Sequence, residues 1–423
     1  MRALVLAFLL GVLAVIPALG AEFDARFVQP DTLIVKTRFP LGPNGAAELF
    51  ESFGFTDALS NVRSVKPAFE GTFTDDVDFP ADQYFTIRLR PGSSLKESIA
   101  ALSALKNVVS VQPDYYLSDP DVLTPNDPQL PKQWYLDRLK VREAWEYTKG
   151  KGVFVADVES GFDTEHPDLK NQFDREKTFD YDPDTDDTSK VNDNKMSHGT
   201  PVCGLIGAQA DNNLFGVGIA FEAKLVGSQM ANSMSAHSTE SVWTVNAAKA
   251  ILGSVARGAS VILIEKQLPS TSSSVEQSKV IYEAIKAAVA KGVPVVVPAG
   301  NFDNELEVEA AQEDSGAIFV GATTKSDKAA SFSDYGERVD VAAPGESVYS
   351  TQQGESETLS FGGTSSASAI TAGVTALVKA ANPKLSPREI RKILKETGTP
   401  IEGTKKIGTL LNARDAVKRA LDS

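Results

Sequence analysis

The spacing of apolar positions divides the chain into three stretches. Met1-Arg2 is followed by an apolar run from Ala3 to Leu19 and then by Gly20-Ala21. A basic start, a short apolar core and small residues after it describe a secretory signal peptide over residues 1–20. The run is short for a retained membrane anchor, and no other segment is apolar for long enough to span a bilayer. In residues 21–123, β-branched and aromatic residues gather at Thr32–Lys36, Val62–Phe69, Tyr84–Leu89 and Val108–Gln112, which predicts four strands. Ala46–Phe53 and Leu95–Leu105 carry helical spacing. The resulting β-α-β-β-α-β order is that of a small ferredoxin-like α+β domain. A linker rich in Pro and Asp, from Asp119 to Pro128, follows it, the kind of exposed segment that is readily cut.

The third stretch, residues 124–423, alternates between two periods. Short apolar runs predict strands at 153–158, 224–228, 261–265, 293–297, 317–321 and 338–341. Helical spacing covers 240–256, 274–291, 363–381 and 387–396. The longest helix is the best marked: Ala367, Ile370, Thr371, Val374, Leu377, Val378 and Ala381 share one face. The last helix opens on Ser386-Pro387-Arg388-Glu389, a capping box with Pro in the first turn. Strands alternating with helices make a doubly wound α/β fold, a parallel sheet with helices on both faces. Sites in such folds lie where strands end and helices begin.

Composition narrows the function. A net charge of −14 gives no electrostatic footprint for nucleic acid. Cys203 is the only cysteine, so no intrachain disulfide forms, and its apolar helical surroundings suit a buried thiol. A thiol so close to His198 in sequence would instead make an enzyme mercury-sensitive.

The candidate chemistry sits at the predicted element ends. Gly363-Thr364-Ser365-Ser366-Ala367-Ser368 opens the long helix. A Ser there is ordinarily an N-cap, but it also lies on the positive end of the helix dipole. To act as a nucleophile it needs a base. The chain has three histidines. His166 lies in a His-Pro-Asp-Leu turn and His237 in a polar Ser-rich stretch. His198 heads His198-Gly199-Thr200 and a second apolar helical run. An orienting acid is offered by Val153–Gly161, a buried strand ending in both Asp157 and Glu159. Burying carboxylates is costly and calls for a reason. Alternate residues of a strand face the same way, so either acid could reach His198. Glu159 is longer by one methylene, whereas Asp157 lies about 7 Å deeper along the strand. Val295–Val297 runs into Pro298-Ala299-Gly300-Asn301, a tight turn that would aim the Asn301 amide at a developing oxyanion.

Together these segments resemble the subtilisin-like serine proteases, the subtilases, over nearly the whole chain. The family's His-Gly-Thr-x-Val-x-Gly is matched from His198 to Gly204, and its Gly-Thr-Ser-x-Ala-Ser from Gly363 to Ser368. Ala299-Gly300-Asn301, Phe332-Ser333-Asp334-Tyr335-Gly336 and Ala343-Pro344-Gly345 match as well. The resemblance implies a secreted or periplasmic serine endopeptidase that cuts protein or peptide substrates and is made as a zymogen. Ser365 would be the nucleophile and His198 the base, with Asn301 and the Ser365 amide holding the oxyanion. Anchored on Ser160-Gly161 and His166-Pro167-Asp168-Leu169, the family's acid falls on Glu159, with Asp157 the alternative. Residues 21–123 would be the propeptide, acting as folding chaperone and intramolecular inhibitor. A structural calcium would be held by the side chains of Asp127, Asp168 and Asn213 and the carbonyls of Asp211, Phe215 and Val217, an oxygen shell that suits this ion.

The chain departs from the family in three places. Glu159 stands where the family has Asp, with Asp157 two residues earlier. Glu265-Lys266-Gln267-Leu268 stands where the family reads Ser-Leu-Gly-Gly, the flat wall beside substrate. Ala369-Ile370 stands in place of Pro-His. These changes support a second reading, a catalytically weak or inactive subtilase-fold pseudoprotease acting as a binding protein. If the enzyme is active, Glu265 and the acidic segment Asp303–Glu309 would form an acidic pocket favouring Lys or Arg before the cut bond. The acidic run Asp180–Asp187 lacks the pattern of an EF-hand and reads as a solvated loop, or as a second calcium site.

Overall fold

The structure is a computed structural model that describes residues 28–40, 60–69, 80–115, 124–181, 191, 198–230, 244–268, 274–306, 312–354 and 356–423. The signal run, the helix at 46–53, most of the acidic run at 180–187 and His237 lie outside the described residues. Two compact units are present, Met1–Ser118 and Asp119–Ser423.

The first unit contains β1 (Val28–Thr37), β2 (Val62–Pro67), β3 (Tyr84–Leu89), α1 (Leu95–Ser103) and β4 (Val108–Tyr115). Its antiparallel sheet has the order β2-β3-β1-β4, the ferredoxin-like arrangement. Period-two alternation turns Leu33 and Val35 of β1 and Phe85, Ile87 and Leu89 of β3 into one core with Leu102 of α1. Ser94 caps that helix by accepting from the Glu97 amide.

In the second unit, two short helices, α2 (Trp134–Arg138) and α3 (Val141–Ala144), precede β5 (Phe154–Glu159). There follow β6 (Phe179–Asp180), α4 (Gly199–Gly207), β7 (Lys224–Gln229), α5 (Thr244–Ala256), β8 (Val261–Ile264), α6 (Lys279–Ala290) and β9 (Val295–Pro298). The chain continues through β10 (Ile318–Thr323), β11 (Val341–Pro344), a hairpin of β12 (Val348–Gln352) and β13 (Ser356–Phe361), and α7 (Gly363–Ala381). It ends with α8 (Pro387–Thr397), β14 (Thr399–Pro400), β15 (Thr409–Leu410) and α9 (Ala413–Leu421). The nine-stranded sheet has the order β14-β15-β11-β10-β9-β8-β5-β7-β6, and every neighbouring pair is parallel except β14 with β15. Helices cover both faces: α4, α7, α8 and α9 build one core, α5 and α6 the other. Central strands such as Val261-Ile262-Leu263-Ile264 are therefore apolar throughout.

Among the described residues the predicted strands and helices are present, and the main differences are these. The strand expected at 338–341 starts at Val341, because Arg338 and Asp340 are drawn into ion pairs before it. The helix expected at 274–291 opens as a 3₁₀ turn, Val275–Gln277, and restarts at Lys279 after an extended Ser278. The β12–β13 hairpin and α9 were not expected, since neither has a long apolar repeat. Among the described residues, no helix is long and apolar enough to cross a membrane. The strand order changes direction at β5, whose successor β7 lies on one side and β8 on the other. The crevice beyond the carboxyl ends of β5 and β8 is the switch point at which such sheets bind ligands.

Candidate active site

β5 turns Val155 into the core below α4 and α7, and Ala156 and Val158 into the opposite core. Asp157 and Glu159 therefore face α4 and α7, and both are fully buried. The two acids differ in what they meet. Glu159 Oε2 accepts from His198 Nδ1 at 3.1 Å, and Oε1 accepts from the amide and hydroxyl of Ser160 at 3.0 and 3.1 Å. The Lys266 ammonium donates to both Glu159 oxygens, at 3.1 Å for Oε2. Burial pushes the Glu159 carboxyl up, but Lys266 and His198 outweigh it and hold it down at about 2. Asp157 meets the Cys203 thiol at 3.8 Å instead, and its Oδ1 has no partner. Burial first, then the charges of Glu159 and Glu265, push its carboxyl well above the ordinary range. Cys203 is wholly buried, and burial with Asp157 beside it pushes the thiol up, which makes it a poor nucleophile.

His198 stands just ahead of α4, its ring tilted against Phe361 at 5.5 Å and its side chain 20% exposed. Glycine is required next: a Cβ at Gly199 would lie 2.6 Å from the Gly161 carbonyl and the Phe162 ring. Burial pulls the imidazole down, but Glu159 and Glu265 prevail and raise it above its ordinary value. With Nδ1 bound to Glu159, the Nε2 edge points away from the acid.

Ser365 is the third residue of α7, half-buried, among the free amides of the helix N-terminus. The Glu265 carboxyl lies close by, where Oε1 accepts from Ser368 Oγ at 2.6 Å and Oε2 has no partner. Among the described residues, no bond joins Ser365 to His198. Asn301, just past β9, is exposed. Its Oδ1 accepts from the amide and hydroxyl of Thr364 at 2.8 and 3.1 Å. The helix that carries Ser365 thus fixes which way the Asn301 amide turns, and the Nδ2 donors face outward. The preceding Gly300 has φ +122°, and a Cβ there would lie 2.1 Å from Asp334 Oδ2.

Glu265 corrects one expectation. It does not line an open acidic pocket: it is 4% exposed and lies under α7. It shares the parity of Leu263, which β8 turns into the α7 core, so the strand period carries it inward. Burial above all raises its carboxyl to about 7, against the opposing pull of His198 and Ser368. Lys266, in sequence only one of the charged residues replacing a flat wall, is a direct partner of Glu159. The signal available was a lysine two residues past a strand that neighbours the acid-bearing one.

The expected calcium ligands gather around one loop. Asp127 Oδ2 accepts from the Asp211 amide at 2.9 Å. Asp168 Oδ1 accepts from Asn212 Nδ2 at 2.7 Å, so Asn212, not Asn213, reaches this acid. The Asn213 amide donates to Asn126 Oδ1 at 2.9 Å. The carbonyls of Phe215 and Val217 accept from the Gln129 amide and Gln133 Nε2, both at 2.7 Å. Asp211, Asn213 and Phe215 all have positive φ, which curls the loop. Asp127 Oδ1 and Asp168 Oδ2 are buried without a partner. Burial raises Asp127 to about 6, and burial with the neighbouring Asp127 charge raises Asp168 to about 8. Among the described residues no cluster of three or more His, Cys, Asp or Glu side chains forms. Two orphaned carboxylate oxygens beside several carbonyls fit a hard cation.

Comparison with known proteins covers most of the chain. Residues 150–416 match the family model described as the subtilase family. An extracellular protease of Xanthomonas campestris pv. campestris is 30% identical over 361 residues, which span 76% of this chain and 61% of that protein. Thermitase of Thermoactinomyces vulgaris is 33% identical over 282 residues, 66% of this chain and 94% of its own length. Subtilisin Savinase of Lederbergia lenta is 35% identical over 293 residues, 67% of this chain and 98% of its own length. A solved structure of proteases from Pseudoalteromonas arctica superposes with a TM-score of 0.58 at 27% identity, covering 70% of this chain and 100% of that one.

Proposed function

The chain belongs to the subtilase family of serine endopeptidases, and from that premise we propose that it is a secreted endopeptidase, made as a zymogen, with Ser365, His198 and Glu159 as its triad. The observation that carries the assignment is the 3.1 Å bond between His198 Nδ1 and Glu159 Oε2. It makes Glu159 the acid that orients the imidazole, and leaves Asp157 a neutral partner of Cys203.

In this reading the Ser365 Oγ–H proton passes to His198 Nε2 as Oγ attacks the peptide carbonyl carbon. The imidazolium so formed lies against the ionised Glu159. The carbonyl oxygen becomes an oxyanion and accepts from Asn301 Nδ2 and the Ser365 amide. As the C–N bond breaks, His198 returns the proton to the leaving amine. Water then repeats the sequence on the acyl-enzyme and frees Ser365. For the transfer, the Ser365 hydroxyl must turn toward His198. The Glu265-Lys266-Gln267-Leu268 segment, in place of the family's flat wall, is what favours an inactive binding protein.

The apolar run at residues 1–20 supports export, as does the similarity to the extracellular protease of Xanthomonas campestris. The ferredoxin-like unit, placed ahead of the catalytic one, would serve as the propeptide and intramolecular inhibitor. A calcium ion, when bound, would supply only charge compensation and loop rigidity. Asp127 and Asp168 would hold it, with the carbonyls of Asp211, Phe215 and Val217 and the Asn213 side chain completing the shell.

Incubation with a small fluorophosphonate tests the reading. The folded protein is expected to form a covalent adduct at Ser365, and Ser365→Ala is expected to form none. The same variant should lose about 10⁶ in turnover, the loss known for the triad serine of subtilisin itself, and should not cut its own precursor. A folded wild-type protein that stays unlabelled from acid to alkaline pH would leave the binding-protein reading standing.

A further inference from the structure

The Glu159 carboxylate is shared. His198 Nδ1 and the Lys266 ammonium both lie 3.1 Å from Oε2, which puts the ammonium within about 6 Å of the imidazole. The sheet dictates this approach. β8 runs parallel to β5 with Ile264 level with Val158, so residues 265 and 266 emerge beside Glu159. Glu265 takes the inward direction and Lys266 the other, 24% exposed, with its ammonium bent back onto the buried acid.

The surroundings of His198 make that cation consequential. The charges that act on it are Glu159 from β5, and Glu265 and Lys266 from just past β8. Phe361 of β13 packs on the ring at 5.5 Å. Ionised acids near an imidazole favour its protonated form, and an imidazolium cannot accept the nucleophile's proton.

We propose that Lys266 is a positioning residue of the triad: it fixes the Glu159 carboxylate against His198, and its charge keeps the imidazole unprotonated further into acid than the surrounding carboxyls would allow. The inference rests on the triad reading above. The electrostatics run in the same direction. Lys266 is the foremost of the groups that hold Glu159 ionised, and it opposes the push of Glu159 and Glu265 on His198. A lone triad acid would be oriented by neutral donors. Here a second cation does part of that work, and the enzyme stays competent at lower pH as a result.

The rate of labelling by a small uncharged fluorophosphonate, followed against pH, tests this on the purified enzyme. The acid midpoint of Lys266→Met is expected about one pH unit or more above that of the wild type, since a like charge at this range shifts a group by one to three units. Lys266→Arg, which keeps the charge, is expected to stay near the wild-type midpoint. A Lys266→Met midpoint that does not move overturns the proposal, even if the plateau rate falls, because a purely structural role would lower the plateau alone. A wild-type enzyme that labels at no pH would instead refute the triad reading.

Should Lys266→Met fail to fold, Glu159→Gln and Glu159→Gln/Lys266→Met replace it. The chain has only three histidines, so the His198 ring can be followed by NMR. The double variant, freed of the ammonium, is expected to titrate at higher pH than Glu159→Gln, and equal midpoints overturn the proposal.

Discussion

Two clusters in the second unit each gather three carboxyl groups, and they treat them in opposite ways. Around Arg338, every acid is matched. Arg338 meets Glu276 at 3.0 Å, Asp340 at 3.2 Å and Asp314 at 3.8 Å. Arg391 meets Asp314 at 2.6 Å and Asp340 at 2.8 Å, and Lys395 meets Asp340 at 2.9 Å. Three cations answer three anions, and the cluster ties the 3₁₀ turn ahead of α6 to the start of β11 and to α8. At the candidate active site, Asp157, Glu159 and Glu265 share one lysine and one histidine. Only Glu159 is held ionised, while Asp157 and Glu265 are raised. Matched charge makes a staple. Unmatched charge makes groups that change protonation near neutral pH, which is what acid–base chemistry needs.

The sharpest way to break this contrast is at the acids themselves. Glu159→Gln is expected to cost about 10⁴ in kcat, the loss known when a triad acid becomes an amide. Asp157→Asn is expected to cost far less, because its side chain faces Cys203. Steady-state kinetics on a peptide ester compares the two, and a larger loss from Asp157→Asn would transfer the orienting role to it. Arg338→Met attacks the staple. It leaves Glu276 and Asp340 buried beside fewer cations and is expected to lower stability by about 3–5 kcal/mol. The kcat per active-site-titrated molecule should not change. A fall in kcat with the melting transition intact would show that the two clusters are coupled.

Glu265→Gln tests the unmatched side through pH. The folded carboxyl titrates at about 7 against an ordinary 4.5. Its contribution to stability is therefore full below pH 4.5 and is lost as pH rises through about 7. Above pH 8 or so the Gln variant is expected to exceed the wild type by about 3 kcal/mol at most. Urea melts of catalytically silenced Ser365→Ala protein at pH 5 and pH 8 measure the difference, and a gap that does not widen with pH contradicts the buried-acid account. The smallest expected effect belongs to a third group of acids, Asp127 and Asp168, each of which, like Asp157 and Glu265, keeps one buried oxygen without a partner. Calcium at a hundredfold excess over its Kd is expected to add about 2.7 kcal/mol to folding. Calorimetry with and without chelator reads it, and Asp168→Ala should erase the difference.

Much of this molecule is legible in one dimension. The apolar periods placed the strands of both units and the 363–381 helix, because burial on a sheet face or a helix stripe imposes a repeat that neighbours in sequence must keep. The blocks around His198, Asn301 and Ser365 were legible for a related reason: each needs a particular turn at an element end, and the turn is written in adjacent residues such as Gly199 and Gly300. Strand parity even put Asp157 and Glu159 on the right face. It could not choose between them, since that depends on where α4 delivers an imidazole 39 residues later. Nor could it show that Glu265 turns under α7 or that Lys266, 107 residues beyond Glu159, closes on its carboxylate. Local patterns fix what each element buries. Which charges meet across elements depends on the strand order of the sheet, and charge pairing acts through space without leaving any repeat along the chain.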